Sequence, residues 1–246
     1  MLMNYTYMTI IIILIISCIA IFFYHYNRKP QYKGRGYCDI TAEYVMPQIY
    51  ENFVTNDEIN HLINSATPKF IDSTVLHPEG PSQDDGRKSK TAWLPKTDPV
   101  IYNIIKRVCD IVKIPVENAE EMQIVKYDPS GFYNEHFDSS CEDNKESVEF
   151  EKFGGQRPVT MIIYLNDDFT GGFTSFPKLK QEFQPKKGNA LLFHSLQKHG
   201  NKGHPLSLHA GMPVLTGQKY IANIWLRENH IKILLLNYWL HSYGFL

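Results

Sequence analysis

A chain of 246 residues with 43% apolar content is long enough for one sizeable core and short for two full domains. Its formal net charge of −1 lacks the basic excess of an electrostatic nucleic-acid binder, so no nucleic acid is expected as a partner. Cys18, Cys38, Cys109 and Cys141 show no Cys-x-x-Cys spacing, which argues against a zinc knuckle or a disulfide-dense scaffold. A Cys38–Cys141 pair would need an oxidising compartment.

Residues 8–24 (MTIIIILIISCIAIFFY) contain no charged side chain and, at about 17 residues, just reach the length a helix needs to cross a bilayer. No Lys or Arg precedes the run, so it reads as a retained single-pass membrane anchor rather than a cleaved signal peptide. Arg28, Lys29, Lys33 and Arg35 follow it, and the positive-inside rule would keep the remainder of the chain on the cytosolic side. Residues 27–44 lack periodicity and read as a tether, and a folded domain is expected over 45–229.

Thr55-Asn56-Asp57-Glu58 has the form of a capping box opening a helix through Ile59, Leu62 and Ile63. The stretch from Leu76 to Lys90 is polar, broken by Pro and Gly, and reads as a mobile loop over a site. Asp98-Pro99 is a favoured cap and first-turn pair, and the next helix should present Ile101, Ile104, Ile105, Val108, Ile111 and Val112 on one face.

Beyond Pro115 the sequence changes to short β-rich segments. Strands are expected at Met122–Tyr127, Tyr133–Phe137, Val159–Leu165, Ala190–Phe193, Met212–Leu215 and Tyr220–Leu226, separated by Gly-rich and Pro-rich turns. Helices first and many short strands afterwards imply an α+β fold, a double-stranded β-helix (jelly roll) buttressed by the N-terminal helices. The apolar run Ile231–Leu240 is too short to span a membrane, so the tail 230–246 is expected to dock on the domain or mediate a dimer contact.

His136 and Asp138 are two apart, so on a strand they project from one face and can reach one ion, while Phe137 points away. His77-Pro78-Glu79 is the competing pattern, but Pro78 cannot donate to a central ladder. A third donor has to come from His194, His199, His204 or His209. His209 precedes an apolar segment, a turn and Lys219, and antiparallel neighbours would bring that ammonium close to the metal, where it can pair with a dicarboxylate. His199 and His204 lie in a Lys/Gly-rich loop and read as solvated. His194 follows a buried run and either lines the pocket or is a core histidine. Two imidazoles and one carboxylate are the donor set of a non-haem Fe(II) oxygenase, with open positions for a 2-oxo acid and O2. A zinc hydrolase would accept the same ligands but has no use for the lysine.

From about Pro47 to Arg227 the chain resembles the prolyl 4-hydroxylases of the 2-oxoglutarate and Fe(II)-dependent oxygenase superfamily, in the style of the collagen-type, plant, algal and viral enzymes. The matching segments, in order, are Glu120–Tyr127, Gly131–Asp138, Gly154–Thr160, Tyr164–Asp167, Gly171–Pro177, Pro185–Phe193 and Ser207–Val214. The resemblance implies hydroxylation of peptidyl proline, with Fe(II) and 2-oxoglutarate as cofactors and L-ascorbate as reductant. It implies His136, Asp138 and His209 as iron ligands, and Lys219, Tyr127 and Thr174 around the 5-carboxylate of 2-oxoglutarate. Tyr133, Arg157 and Trp225 match positions lining the proline pocket, and Leu76–Lys90 would be a lid over a proline-rich or collagen-like peptide. The family's Arg-Thr-Ser in that lid reads Arg87-Lys88-Ser89 here, its Cys after the distal His-Ala-Gly is Met212, and an acidic residue often found before that His is absent. Family members with an N-terminal anchor usually face the lumen of the endoplasmic reticulum, so the resemblance favours the lumenal side, whereas the flanking charges noted above favour the cytosolic one. A 2-oxoglutarate oxygenase acting on a lysyl side chain or an alkylated base is the alternative, followed by an inactive tethered binding domain.

Overall fold

The runs Met122–Tyr127 and Val159–Tyr164 are apolar at nearly every position, the mark of strands covered on both faces. In the computed structural model both are central strands, and Val159–Tyr164 is buried throughout. The structure describes residues 39–231 apart from 78–79, 83–84 and 141–144. The expected anchor at 8–24, most of the tether, the tail beyond Ile231, and Cys18, Cys38 and Cys141 therefore lie outside the described residues. Among the described residues no helix is long and apolar enough to cross a membrane.

In chain order the strands are β1 (Gln48–Tyr50), β2 (Ile71–Asp72), β3 (Val75–His77), β4 (Gly80–Ser82), β5 (Arg87–Lys88), β6 (Lys90–Leu94), β7 (Met122–Tyr127) and β8 (Phe132–His136). There follow β9 (Val159–Tyr164), β10 (Thr170–Gly171), β11 (Thr174–Phe176), β12 (Gln181–Phe183), β13 (Ala190–His194), β14 (His209–Gly211), β15 (Val214–Thr216) and β16 (Lys219–Leu226). Seven form a major sheet in the order β1-β13-β9-β16-β7-β6-β2, and five form a minor sheet in the order β12-β11-β14-β8-β5. This is the jelly roll expected from the sequence. The helices are α1 (Asn56–Ala66), α2 (Pro99–Val112) and α3 (Lys145–Glu151).

Alternation along the major sheet divides the core in two. Ile124, Met161, Ile163, Leu192, Ala222 and Ile224 face a cluster with Ile59, Leu62, Ile104, Ile105 and Val108 of α1 and α2. Val125, Tyr127, Ile162, Tyr164, Leu191, Phe193 and Ile221 face the other way and pack with Phe169, Phe176 and Val214. The helices thus brace one face of the sheet, and the other is free to build a site.

Both helix starts match the sequence reading. The Thr55 hydroxyl accepts from the Glu58 amide, and the Glu58 carboxylate accepts from the Thr55 amide at 2.8 Å. Asp98 accepts from the amides of Val100 and Ile101. Ile111 departs from the expected stripe and is exposed in the last turn of α2. The expected strand Met212–Leu215 is replaced by β14 and β15, separated at Met212-Pro213, because proline has no amide hydrogen to continue a ladder. The Leu76–Lys90 region holds the β3–β4 hairpin and β5, which pairs with β8. Residues 39–44 run along the domain: Lys198 N–H donates to the Glu43 carbonyl, and the Tyr44 ring stacks on His204 at 4.6 Å. His204, read from sequence as solvated, is fully buried; its Nε2 meets the Ala42 carbonyl and its Nδ1 accepts from the Leu206 amide. His199 is exposed as expected.

Replacing Thr55 by Ala removes one half of the reciprocal cap and is expected to cost about 1 kcal/mol with an unchanged denaturant m-value. Urea unfolding of the variant checks this, and an unchanged midpoint would show that the cap carries no stability.

Candidate metal and co-substrate site

The site forms where β8 and β14 run antiparallel in the minor sheet, with His136 directly opposite His209. Asp138 lies two residues beyond His136, on the same face. One donor atom from each of His136, Asp138 and His209 falls within 4.8 Å of the others. His209 Nε2 lies 3.8 Å from Asp138 Oδ2, and His136 Nε2 lies 3.9 Å from Asp138 Oδ1. His194, the remaining histidine candidate, is half-buried at the end of β13 and outside this group.

Backbone carbonyls fix which nitrogens face the centre. His136 Nδ1 is 2.8 Å from the Asn134 carbonyl oxygen and His209 Nδ1 is 2.9 Å from that of Ser207. A carbonyl only accepts, so both Nδ1 atoms carry the hydrogen and both Nε2 lone pairs point toward Asp138. Burial, followed by the neighbouring His209, pushes the His136 imidazole down to about 3, so it is neutral at physiological pH. Burial works to raise the Asp138 carboxyl, but His209 and His136 outweigh it and hold it at about 2. Three electron-pair donors thus converge with no hydrogen among them, an arrangement that a divalent cation satisfies and that suits iron with two imidazoles and one carboxylate.

Asp138 is held from the opposite sheet. Its Oδ2 accepts from the Thr160 hydroxyl at 2.7 Å and from Trp225 Nε1 at 3.1 Å. Thr160 and Trp225 are cross-strand partners of β9 and β16. On the open side the side chain of His136 keeps 21% exposure, against 6% for Asp138 and 5% for His209, so approach is from the His136 edge.

Lys219 is buried at 2% exposure at the start of β16, directly across from Tyr127 of β7. Its strand belongs to the major sheet, whereas β15 pairs with β10. The turn at Gly217, with φ of +78°, carries the chain out of β15 and into the major sheet, so the lysine stands beside β7 and not as the hairpin neighbour of β15 expected from the sequence. Its ammonium donates to the Gly172 carbonyl at 2.7 Å and lies 5.4 Å from the Tyr127 ring centroid. Among the described residues no carboxylate pairs with it, and burial pushes it down to about 7. Thr174 lies opposite Gly211 on β14, and its hydroxyl accepts from that of Tyr164 at 2.9 Å.

A second group of predicted residues forms a wall beside the metal donors. The Tyr133 ring stacks on His136 at 3.7 Å, and the Arg87 guanidinium lies 4.5 Å from the Tyr133 centroid. Arg157 lies 4.1 Å from the Trp225 ring, and Trp93 continues the aromatic surface 6.0 Å from Trp225. Thr160, Tyr164, Glu120 and Arg227 were not singled out from the sequence. A hydroxyl inside the apolar run Val159–Tyr164 and a charge closing the apolar run of β16 were the available signals.

The jelly roll and this donor set define the class, the 2OG-Fe(II) oxygenase superfamily, whose family model matches residues 122–227. A protein of Acanthamoeba polyphaga mimivirus that carries the prolyl 4-hydroxylase name is 42% identical over 193 residues, covering 78% of this chain and 78% of that one. Prolyl 4-hydroxylase subunit alpha-1 of Gallus gallus is 34% identical over 84% of this chain, which spans only 40% of that subunit. The viral collagen prolyl hydroxylase of Paramecium bursaria Chlorella virus-1, solved as its 2OG complex, is 31% identical with a TM-score of 0.59, covering 73% of this chain and 94% of that one. The chain belongs to the prolyl 4-hydroxylase family and is a 2-oxoglutarate-dependent dioxygenase. Its cofactors are Fe(II) and 2-oxoglutarate, with ascorbate the reductant typical of prolyl hydroxylases.

Asp138→Ala is expected to abolish turnover and weaken Fe(II) binding in anaerobic titration. Thr160→Val, which removes one bond orienting the carboxylate, should cost about 10- to 100-fold in metal affinity. Wild-type affinity in both variants would remove Asp138 from the donor set.

Proposed function

We propose that this chain hydroxylates C4 of prolyl residues in extended, proline-rich or collagen-like peptides, consuming O2 and 2-oxoglutarate and releasing succinate and CO2. The observation that carries this reading is one site with two unlike sides. A buried ammonium that meets no carboxylate among the described residues lies on one, and an aromatic and guanidinium wall on the other.

In this reading His136 Nε2, His209 Nε2 and an Asp138 oxygen hold the ferrous ion, which with 2-oxoglutarate supplies the O2-derived oxidant for an unactivated C–H bond. Thr160 and Trp225 orient the carboxylate, and the two backbone carbonyls hold the imidazoles in the ligating tautomer. Lys219 receives the distal carboxylate of 2-oxoglutarate, with the Tyr127 and Thr174 hydroxyls beside it. A dicarboxylate supplies the counter-charge the buried ammonium lacks.

Tyr133, Arg157 and Trp225 form the peptide wall. A polyproline-type peptide has no internal hydrogen bonds and little conformational entropy left to lose, so flat rings recognise its prolines and guanidinium N–H groups its free carbonyls. The same wall disfavours the alternatives. A lysyl substrate would bring its ammonium to two guanidiniums whose carboxylate, Glu120, is already taken by both. An alkylated base would arrive on a polyphosphate for which a chain of net charge −1 offers no basic excess.

Incubation with Fe(II), ascorbate, 2-oxoglutarate and a proline-rich peptide panel is expected to add one oxygen to proline, with stoichiometric succinate, read by mass spectrometry. Succinate without oxidised proline would redirect the reading to another target. The ammonium is the form that binds a carboxylate, and its value in the free protein is near 7. Affinity for 2-oxoglutarate should therefore be highest at about pH 6 and below, about half that at pH 7, and fall by up to about tenfold per unit above it. In Lys219→Met the slope should vanish and affinity stay low throughout. Wild-type affinity for 2-oxoglutarate in Lys219→Met would take Lys219 out of the co-substrate site.

A further inference from the structure

Arg227 follows β16 directly, two residues beyond Trp225, and none of the roles above falls to it. It is 4% exposed. Its Nε donates to Glu120 Oε1 at 2.6 Å, and one terminal nitrogen donates to the carbonyls of Phe150 at 3.1 Å and Gly155 at 2.8 Å. Its guanidinium lies 4.1 Å from the Phe150 ring centroid.

Arg157 uses the same two partners from the other side. It donates to both Glu120 oxygens, at 2.6 and 2.7 Å, and lies 5.1 Å from the Phe150 ring. One carboxylate and one phenyl ring therefore serve two guanidiniums beside Trp225. Arg227 is also built into the backbone that carries Arg157. A Cβ on Gly154 would come within 3.3 Å of Arg227 Cβ, and one on Gly155 within 2.5 Å of a Glu228 carboxylate oxygen. The segment 154–156 is thereby seated directly on Arg227 and its neighbour.

We propose that Arg227 is a positioning residue for the peptide site: by clamping Glu120 and the carbonyls of residues 150 and 155 together, it holds the Arg157 guanidinium flat against Trp225. The inference rests on the reading of Arg157 and Trp225 as the peptide wall. Three acceptors and a ring are met at once by a planar fork, and lysine, a point charge, meets one or two of them. With Arg227 in place Arg157 is committed before peptide arrives, so binding does not have to order it.

The test compares Arg227→Lys, Arg157→Ala and the double variant, all loaded with Mn(II) and 2-oxoglutarate, by calorimetric titration with a proline-rich peptide. Arg227→Lys is expected to weaken peptide binding about tenfold while leaving 2-oxoglutarate affinity within twofold of wild type. The double variant should bind peptide no worse than Arg157→Ala alone, because the effect passes through Arg157. Phe150→Leu keeps both hydrogen-bonded guanidiniums and should weaken peptide about threefold, which tests the clamp without removing a charge. Additive losses in the double variant, a parallel loss of 2-oxoglutarate affinity, or unaltered peptide binding in both Arg227→Lys and Phe150→Leu would overturn the inference. A wild-type chain that binds no proline-rich peptide would instead sink the reading on which it rests.

Discussion

The structure depends on one carboxylate held from two sheets at once. Asp138 leaves the minor sheet just past β8, yet its Oδ2 is fixed by Thr160 and Trp225 of the major sheet. Between them those bonds set the spacing of the sheets at the point where His136 and His209 face each other. Three acceptors within 4.8 Å repel one another in a buried setting unless a cation joins them. The fold therefore stores a demand for a metal, and the packing behind the sheet, with Ile104, Ile105 and Ile163 fully buried, carries the cost of holding that arrangement.

The remaining buried charges are disposed around the same centre with opposite purposes. Lys219 is desolvated and, among the described residues, meets no carboxylate. Glu120 is the reverse: burial works to raise its carboxyl, but Arg157 and Arg227 hold it at about 2, so it is a fixed anion at any working pH. One group is tuned by burial, and in the proposed reading it receives the small co-substrate. The other is saturated by two guanidiniums, and in the proposed reading it stiffens the peptide wall.

Much of this was legible in the residues alone. The capping box at Thr55–Glu58, the Asp98-Pro99 start and the apolar strands Met122–Tyr127 and Val159–Tyr164 are local signals, and local physics decides them. His136 and Asp138 were readable because a strand puts alternate residues on one face. The path of Lys219 is not, because whether Gly217 makes a hairpin or a passage between sheets depends on whether the adjacent β15 or the distant β7 and β9 offer the better partner. His204 was misjudged for a related reason: its loop composition is polar, yet Tyr44 and the Ala42 carbonyl, far away in sequence, cover it. Arg227 and Glu120 escaped notice because a lone charge at a strand end has no local pattern, and their meaning lies in each other.

The claim that the rest hangs on is a single metal gripped between the sheets by these three side chains. An anaerobic crystal structure with Mn(II) and 2-oxoglutarate tests it most directly. The account requires the ion bonded to Nε2 of His136, Nε2 of His209 and an Asp138 oxygen, with the far carboxylate of the co-substrate on the Lys219 ammonium. A metal held elsewhere, or bonded through either Nδ1, would contradict it.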